Sequence, residues 1–125
     1  MQRRSLSSVR IFYPEFDREK LLQILSERLK ELEARLPLIR VVLFGSYAHG
    51  NYTVGSDVDL LIIYSGEARA DAYAMAKRIL DIPRLEPHLY TKKEYKKMKG
   101  IISKMSEGGI VLLPGAKGGG NTRLA

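Results

Sequence analysis

Hydrophobic positions along the chain follow two periods, which separate predicted helices from predicted strands. Between residues 17 and 36, leucine and isoleucine recur at steps of three and four, as on one face of an amphipathic helix, and Pro37 ends the pattern. The run from Leu38 to Phe44 is short, continuous and rich in β-branched side chains, which is typical of a buried strand. The same criteria predict, in chain order, helix 17–36, strand 38–44, strand 57–64, helix 67–80, strand 85–90, helix 92–105 and strand 110–113.

Two local signals refine these elements. Pro87 lies inside the third predicted strand and lacks an amide hydrogen, so we expect that strand at a sheet edge or in irregular pairing. Thr91, with Glu94 three residues later, matches the capping box that begins a helix. Together the elements predict an α/β domain, with a short mixed sheet flanked by helices.

The size and composition of the chain indicate one domain. It has 125 residues, of which 45% are hydrophobic and 28% are charged, as expected for a soluble globular protein. We expect an N-terminal arm over 1–14, the folded domain over 15–113 and a flexible, glycine-rich tail over 114–125. The absence of cysteine excludes disulfides, thiolate nucleophiles and cysteine-based metal sites, and two histidines are too few for an all-histidine metal site.

Hydropathy and charge indicate where in the cell the protein is located and which kinds of partner it can bind. No apolar run approaches the roughly 20 residues that span a bilayer, and no secretory signal follows the first arginines, so we expect a cytoplasmic protein without a membrane partner. The net charge is +7, and lysines are concentrated in the predicted helix 92–105. Such a run can attract nucleic acid or an acidic partner, but a solvated helix face is the simpler interpretation.

The polar residues between the two central strands carry the candidate chemistry. Asp57 and Asp59 are separated by one residue on a strand, so their side chains emerge on one face, roughly 7 Å apart at Cα. That spacing suits two divalent ions about 3.5 to 4 Å apart, as used for displacement at phosphorus. Upstream, Gly45 and Ser46 end a buried strand, where glycine lets a phosphate approach the backbone amides. Two carboxylates at the head of an apolar strand need compensation, and metal ions with a triphosphate would supply it.

The run Gly45-Ser46-Tyr47-Ala48-His49-Gly50, followed by Gly55-Ser56-Asp57-Val58-Asp59-Leu60, resembles the signature of the DNA polymerase β-like nucleotidyltransferase superfamily. It is most similar to the small stand-alone members called minimal nucleotidyltransferases. The resemblance covers residues 41–64 closely and the flanking elements loosely. It implies the polymerase β-like nucleotidyltransferase fold.

The resemblance also implies roles for particular residues. Gly45 and Ser46 would bind the β- and γ-phosphates of a nucleoside triphosphate, and Ser56 belongs to the nucleotide-binding set. Asp57 and Asp59 would bind two Mg²⁺ ions. The third carboxylate of the family lies on a later strand, where it helps bind the metal near the acceptor hydroxyl and favours deprotonation of that hydroxyl. Glu86 is the candidate for this metal ligand, although the family more often has Asp there. Asp81 is the alternative, but its place at a helix end before Pro83 favours a structural role.

The activity implied is nucleotidyl transfer, with ATP as the expected substrate. An acceptor hydroxyl attacks the α-phosphorus and pyrophosphate leaves. In the resembled group the partner is often a helical HEPN-domain protein, and the pair can act as antitoxin and toxin. The sequence does not distinguish a monomer from a homodimer of this chain. The alternative is a module of the same fold that binds nucleotide or a partner with little or no turnover, which Glu86 in place of Asp favours.

Overall fold

The computed structural model describes residues 17–53, 55–114 and 123–124. The predicted arm 1–14 lies outside these residues, as does most of the predicted tail 114–125. The described elements are α1 (Arg18–Glu33), β1 (Leu38–Phe44), α2 (Ser46–His49), β2 (Val58–Tyr64), α3 (Ala72–Leu80), β3 (Leu85–Thr91), α4 (Lys92–Lys97), α5 (Lys99–Met105), β4 (Ile110–Leu113) and β5 (Arg123–Leu124).

The strands form one mixed sheet in the order β3-β2-β1-β4-β5. β1 pairs antiparallel with β2 and with β4, β2 pairs parallel with β3, and β5 is a two-residue addition antiparallel to β4. The predicted α/β class and mixed sheet are therefore confirmed. Among the described strands β3 lies at one edge, where Pro87 removes no hydrogen bond from the centre of the sheet.

The two faces of the sheet are buried to different extents. The larger core lies on the face that packs against α1 and α3, and includes Leu43, Leu60 and Ile62. The opposite face carries a smaller cluster beneath α4 and α5, built on Val42, Leu61, Ile63, Phe44 and Ile102. Asp59, which shares this face with Leu61 and Ile63 by the alternation of β2, keeps 28% of its side chain exposed to solvent.

Hydrogen bonds fix the start of helix α1 and join the middle of this helix to the end of α3. The Asp17 side chain accepts a hydrogen bond of 2.8 Å from the Lys20 amide and begins the helix. Further along, the Arg28 guanidinium donates to the carbonyls of Leu80 (2.8 Å) and Asp81 (2.9 Å), which end α3. Asp81 has a φ of 46° and follows the last helical residue, consistent with the structural role expected there.

Two predicted helices are shorter than their hydrophobic patterns. The helix predicted over 67–80 begins at Ala72, because the preceding residues make competing bonds: the Arg69 amide donates to the Tyr64 hydroxyl, and its guanidinium binds Asp71. The helix predicted over 92–105 is divided at Met98, whose φ is −112° and ψ is 23°. Lysines at four-residue spacing repel one another in α4, and Gly100 lowers helix propensity directly afterwards.

In the portion of the chain that the structure covers, no helix is long and apolar enough to cross a membrane.

Candidate active site

The predicted glycine corner and the predicted aspartate strand meet directly. Phe44 and Asp59 are register partners at the ends of the antiparallel strands β1 and β2, and Gly45 follows with a φ of 79°. A Cβ atom added at Gly45 would lie 2.5 Å from Asp59 Oδ2, a contact that real side chains do not make. The corner can therefore hold only glycine while Asp59 keeps its position.

A single helical turn, α2, continues from this corner. The amides of Ala48 and His49 each donate to the Gly45 carbonyl at 3.1 Å, and Gly50, with a φ of 84°, ends the turn. The amides of Ser46 and Tyr47 have no partner within the turn, since the first amides of any helical turn have none. These amides and the Ser46 hydroxyl are thus donors beside Asp59.

The corner is held in place from behind by α1. The Arg18 guanidinium donates to the carbonyls of Tyr47 (3.3 Å) and Ala48 (2.7 Å), and its amide donates to the Tyr52 hydroxyl at 3.1 Å. The rings of Tyr47 and Tyr52 stack with centroids 4.3 Å apart. Tyr47 is buried, and this burial, with a smaller contribution from Tyr52, raises the pKa of Tyr47 above its ordinary value. Arg18 has no signal in the sequence that would distinguish it from other charged residues of α1.

The loop before β2 closes on Ser56. The Thr53 amide donates to Ser56 Oγ at 2.8 Å, and the Ser56 amide donates to the Thr53 carbonyl at 3.1 Å. Ser56 therefore shapes the loop immediately ahead of Asp57. A contact of its hydroxyl with nucleotide stays a prediction.

Asp57 has a cationic neighbour that the sequence did not indicate. Arg84 Nη2 lies 3.4 Å from Asp57 Oδ1, and both side chains are 55% exposed. An ion pair this open to water is weak and leaves carboxylate oxygen available to another cation. The pairing follows from the parallel register, because Val58 and Leu85 are partners and the residues just before them come together. A basic residue directly before β3 was the available signal.

Asp59 is more enclosed, with 28% of its side chain exposed. Burial raises the pKa of Asp59 above its ordinary value; His88 opposes the shift, and the charges of Asp57 and Glu86 add to it. His88 Nε2 lies 3.5 Å from Asp59 Oδ1, at the limit of hydrogen bonding, and has no properly oriented partner among the described residues. The His88 ring packs against Phe44 at 5.2 Å between centroids. The site thus holds more negative charge than its own residues neutralise.

Glu86 lies on the strand beside Asp59, but its carboxylate has another partner, and its metal-binding role stays a prediction. The two residues are register partners across the parallel strands β2 and β3. The Tyr73 hydroxyl, from α3, donates to Glu86 Oε1 at 3.3 Å. Desolvation and the Glu86 charge raise the pKa of Tyr73, so this phenol stays protonated and able to donate. No pattern in the sequence indicated Tyr73.

The donor set fits Mg²⁺ that arrives with a polyphosphate. Within residues 17–53, 55–114 and 123–124, no three histidine, aspartate or glutamate side chains converge to hold one ion. Mg²⁺ seldom uses such a cage; it prefers hard oxygen ligands, and one or two carboxylates with water and substrate phosphates suffice. Asp57 and Asp59 are two carboxylates of this kind, and burial raises the pKa of Asp59, with smaller contributions from the charges of Asp57 and Glu86.

The structure also places the histidine of the motif and the lysine-rich helix. His49 is exposed and sits against the Gly108 turn, where an added Cβ would lie 2.9 Å from His49 Cε1. Lys92, Lys93 and Lys96 line a shallow cavity with Gly66, which follows β2 at the end opposite Asp59. A seven-residue strand is roughly 20 Å long, so these lysines are remote from the aspartates. Their attraction for nucleic acid stays a prediction.

Comparisons with known proteins agree with this geometry. A protein family described as "Nucleotidyltransferase domain" matches residues 19–112, which include the corner, both aspartates and Glu86. A protein of Methanocaldococcus jannaschii, named "Putative protein adenylyltransferase", is 46% identical over 46 residues. That alignment covers 35% of this chain and 46% of the relative, so the chain spans about half the length of that protein.

A solved structure shares the fold. The crystal structure of a nucleotidyltransferase from Sulfolobus solfataricus, which its title calls putative, superposes with a TM-score of 0.53. The alignment covers 74% of this chain and 85% of that one, at 22% sequence identity. At this sequence identity the comparison shows a shared arrangement of helices and strands.

Proposed function

The chain belongs to the nucleotidyltransferase domain family, and on that premise we propose that it transfers a nucleoside monophosphate from a triphosphate to an acceptor hydroxyl. The observation that carries the proposal is the contact between the Gly45 corner and the Asp59 carboxylate. It supports a single site in which phosphate donors and metal-binding oxygens face the same ligand. A glycine required only for a turn would have no reason to lie against a carboxylate.

The residues of the corner bind and orient the triphosphate. The amides of Ser46 and Tyr47 and the Ser46 hydroxyl donate to phosphate oxygens, while Arg18 keeps the turn from moving. Asp57 and Asp59 would hold two Mg²⁺ ions, which when bound neutralise the phosphates and the charge developing on pyrophosphate. Most of the catalysis is then positioning and charge stabilisation.

The transfer itself needs one proton acceptor. The acceptor oxygen attacks the α-phosphorus, the bond from that phosphorus to the bridging oxygen breaks, and pyrophosphate leaves. Glu86, beside Asp59 on the neighbouring strand, takes the proton of the hydroxyl. Asp81, the alternative, follows the last residue of α3 in a left-handed backbone conformation, and its carbonyl accepts from Arg28, which supports a structural role.

The nucleotide and the acceptor are finer parts of the proposal. The M. jannaschii relative is named for adenylyl transfer to protein, which supports ATP as substrate and a protein hydroxyl as acceptor. The resemblance to minimal nucleotidyltransferases supports a helical HEPN-domain protein as that acceptor, in an antitoxin role for this chain. Such a partner would also cover a site in which the Asp57 side chain is 55% exposed and the Asp59 side chain 28% exposed.

The test uses ATP labelled at the α-phosphate, Mg²⁺ and the protein encoded by the neighbouring gene. We expect label on the partner, and a loss on the order of a hundredfold or more in Asp57→Asn and Asp59→Asn. Asp71→Asn is the matched control, because Asp71 binds Arg69 away from the site. Wild-type activity in either site variant, with both folded by circular dichroism, would refute the assignment.

A second candidate, nucleotide binding without turnover, is favoured by the hydrogen bond that occupies Glu86. Calorimetry of Mg²⁺-ATP binding, together with an assay of pyrophosphate release, decides between the binding module and the transferase. Tight binding of Mg²⁺-ATP without release of pyrophosphate supports a binding module, whereas release supports the transferase.

A further inference from the structure

Tyr73 is the one hydroxyl that the described structure places against the proposed proton acceptor. Its oxygen lies 3.3 Å from Glu86 Oε1, and Glu86 is the register partner of Asp59. The contact joins two elements, since Tyr73 is on the first turn of α3 and Glu86 is on the edge strand β3. A hydroxyl that donates to this carboxylate is placed to give its proton to the proposed proton acceptor.

The surroundings of Tyr73 suit a group that becomes modified. Its side chain is 46% exposed, so an attached nucleotide has room to extend into solvent. Lys77 Nζ lies 5.9 Å from the centre of the Tyr73 ring and is held there by donating to the Leu85 carbonyl at 2.7 Å. This fixed cation would partly offset the negative charge of a phosphodiester formed on the phenol.

Among the described residues, no other hydroxyl of the site is hydrogen-bonded to Glu86. Ser56 accepts from the Thr53 amide, and Tyr52 accepts from the Arg18 amide. Tyr47 is buried behind the corner. Ser46 lies at the phosphate-binding corner itself and therefore faces the leaving group rather than the acceptor side.

We propose that Tyr73 is an intramolecular acceptor, so that the chain nucleotidylates itself once at this residue. The phenolic oxygen attacks the α-phosphorus of the bound nucleoside triphosphate, the hydroxyl proton passes to Glu86, and the bond to the bridging oxygen breaks with release of pyrophosphate. The product is a tyrosyl phosphodiester, which has no proton left to donate to Glu86. This inference rests on the proposed function, because it uses the same site and the same triphosphate.

The experiment incubates the full chain with ATP and Mg²⁺ and without any partner, followed by intact-mass measurement and peptide mapping. We expect the mass to rise by one nucleoside monophosphate per chain, on the peptide that carries Tyr73. Because Tyr73 and Glu86 belong to the same molecule, the half-time should not change when the chain is diluted tenfold. Tyr73→Phe should lower labelling by about tenfold or more, whereas Tyr95→Phe, at the other end of the sheet face, should label as wild type.

A second measurement uses the metal-free protein and does not depend on turnover. Acetylation of tyrosines with N-acetylimidazole, mapped by mass spectrometry, reports how accessible each phenol is. Glu86→Ala should accelerate acetylation of Tyr73 and leave that of Tyr95 unchanged. An unchanged rate at Tyr73 would show that the hydrogen bond does not exist in solution.

The outcomes separate this inference from the proposed function. Label on another residue, retained in full by Tyr73→Phe, overturns the inference and supports the transferase. Binding of ATP with no label on the chain overturns the inference, and pyrophosphate release with a separate acceptor then decides whether the transferase stands. Absence of both binding and label overturns both.

Discussion

Gly45 is constrained twice, by its backbone and by its neighbour. Its φ of 79° lies in the left-handed region that L side chains avoid, and its missing Cβ is the space in which the Asp59 carboxylate sits. Gly66 has the first constraint without the second: its φ is 95°, and nothing lies within 4 Å of an added Cβ. Substitution of Gly66 therefore tests backbone strain alone, whereas substitution of Gly45 tests backbone strain together with displacement of Asp59.

We predict that Gly45→Ala lowers the free energy of unfolding by about 1 to 3 kcal/mol and also abolishes triphosphate binding, because the new Cβ displaces Asp59. Gly66→Ala should lose about 1 kcal/mol from backbone strain and keep its binding. Urea denaturation and calorimetric titration of both variants measure the two effects. Unimpaired binding by Gly45→Ala would mean that the position of Asp59 is not critical.

The sequence allowed the candidate site residues to be grouped, but it did not identify the residues that contact their carboxylates. Gly45, Asp57 and Asp59 could be grouped in advance because they lie at the facing ends of two consecutive strands and within one sequence motif. Arg84 and His88 reach those aspartates only through the parallel pairing of β2 with β3. That register depends on how α3 crosses the sheet, which no local pattern specifies.

Thr91 is the residue at which strand β3 becomes helix α4. Its hydroxyl accepts from the Glu94 amide at 3.1 Å, and the Glu94 carboxylate accepts from the Thr91 amide at 2.9 Å, as the sequence predicted. Thr91 is also buried, with 3% of its surface exposed. The two short helices that follow have lysine-rich sequences, so their position on the sheet depends strongly on this start.

Removal of this cap should destabilise the domain without affecting the site. Thr91→Ala leaves the Glu94 amide without its acceptor, and we expect a loss of about 1 to 2 kcal/mol. Thr91→Ser keeps the hydroxyl and should lose less. The measurement is the urea midpoint at an unchanged m-value, and equal losses in the two variants would show that methyl packing rather than capping is responsible.

Over the whole molecule the charges are unevenly arranged. The chain carries +7, yet Asp57, Asp59 and Glu86 lie on neighbouring strand ends at one end of the sheet, where the charges of Asp57 and Glu86 add to the raised pKa of Asp59. Bringing these carboxylates together opposes folding until a cation balances them. The stability of the domain should accordingly respond to the ligand that supplies that charge.

We predict that Mg²⁺ with a non-hydrolysable ATP analogue raises the melting temperature of the chain. A ligand at a hundred times its Kd adds about 2.7 kcal/mol to the free energy of unfolding. The rise should disappear in Asp59→Asn and persist in Asp71→Asn, and differential scanning fluorimetry with and without EDTA measures it. An equal rise in Asp59→Asn would place the ligand elsewhere.

The sequence was sufficient to recognise the helices, the strands, the glycine corner and the aspartate pair. Each of these features depends on a local pattern: a hydrophobic period, a helix cap or a short motif. Helix ends at Ala72 and Met98 were missed where side-chain bonds and repulsion between lysines outweighed the hydrophobic pattern. The strand order, the meeting of Glu86 with Asp59 and the approach of Tyr73 to Glu86 were settled by packing. These contacts join residues far apart in the chain, and their geometry depends on how every buried side chain fills the space between helices and sheet.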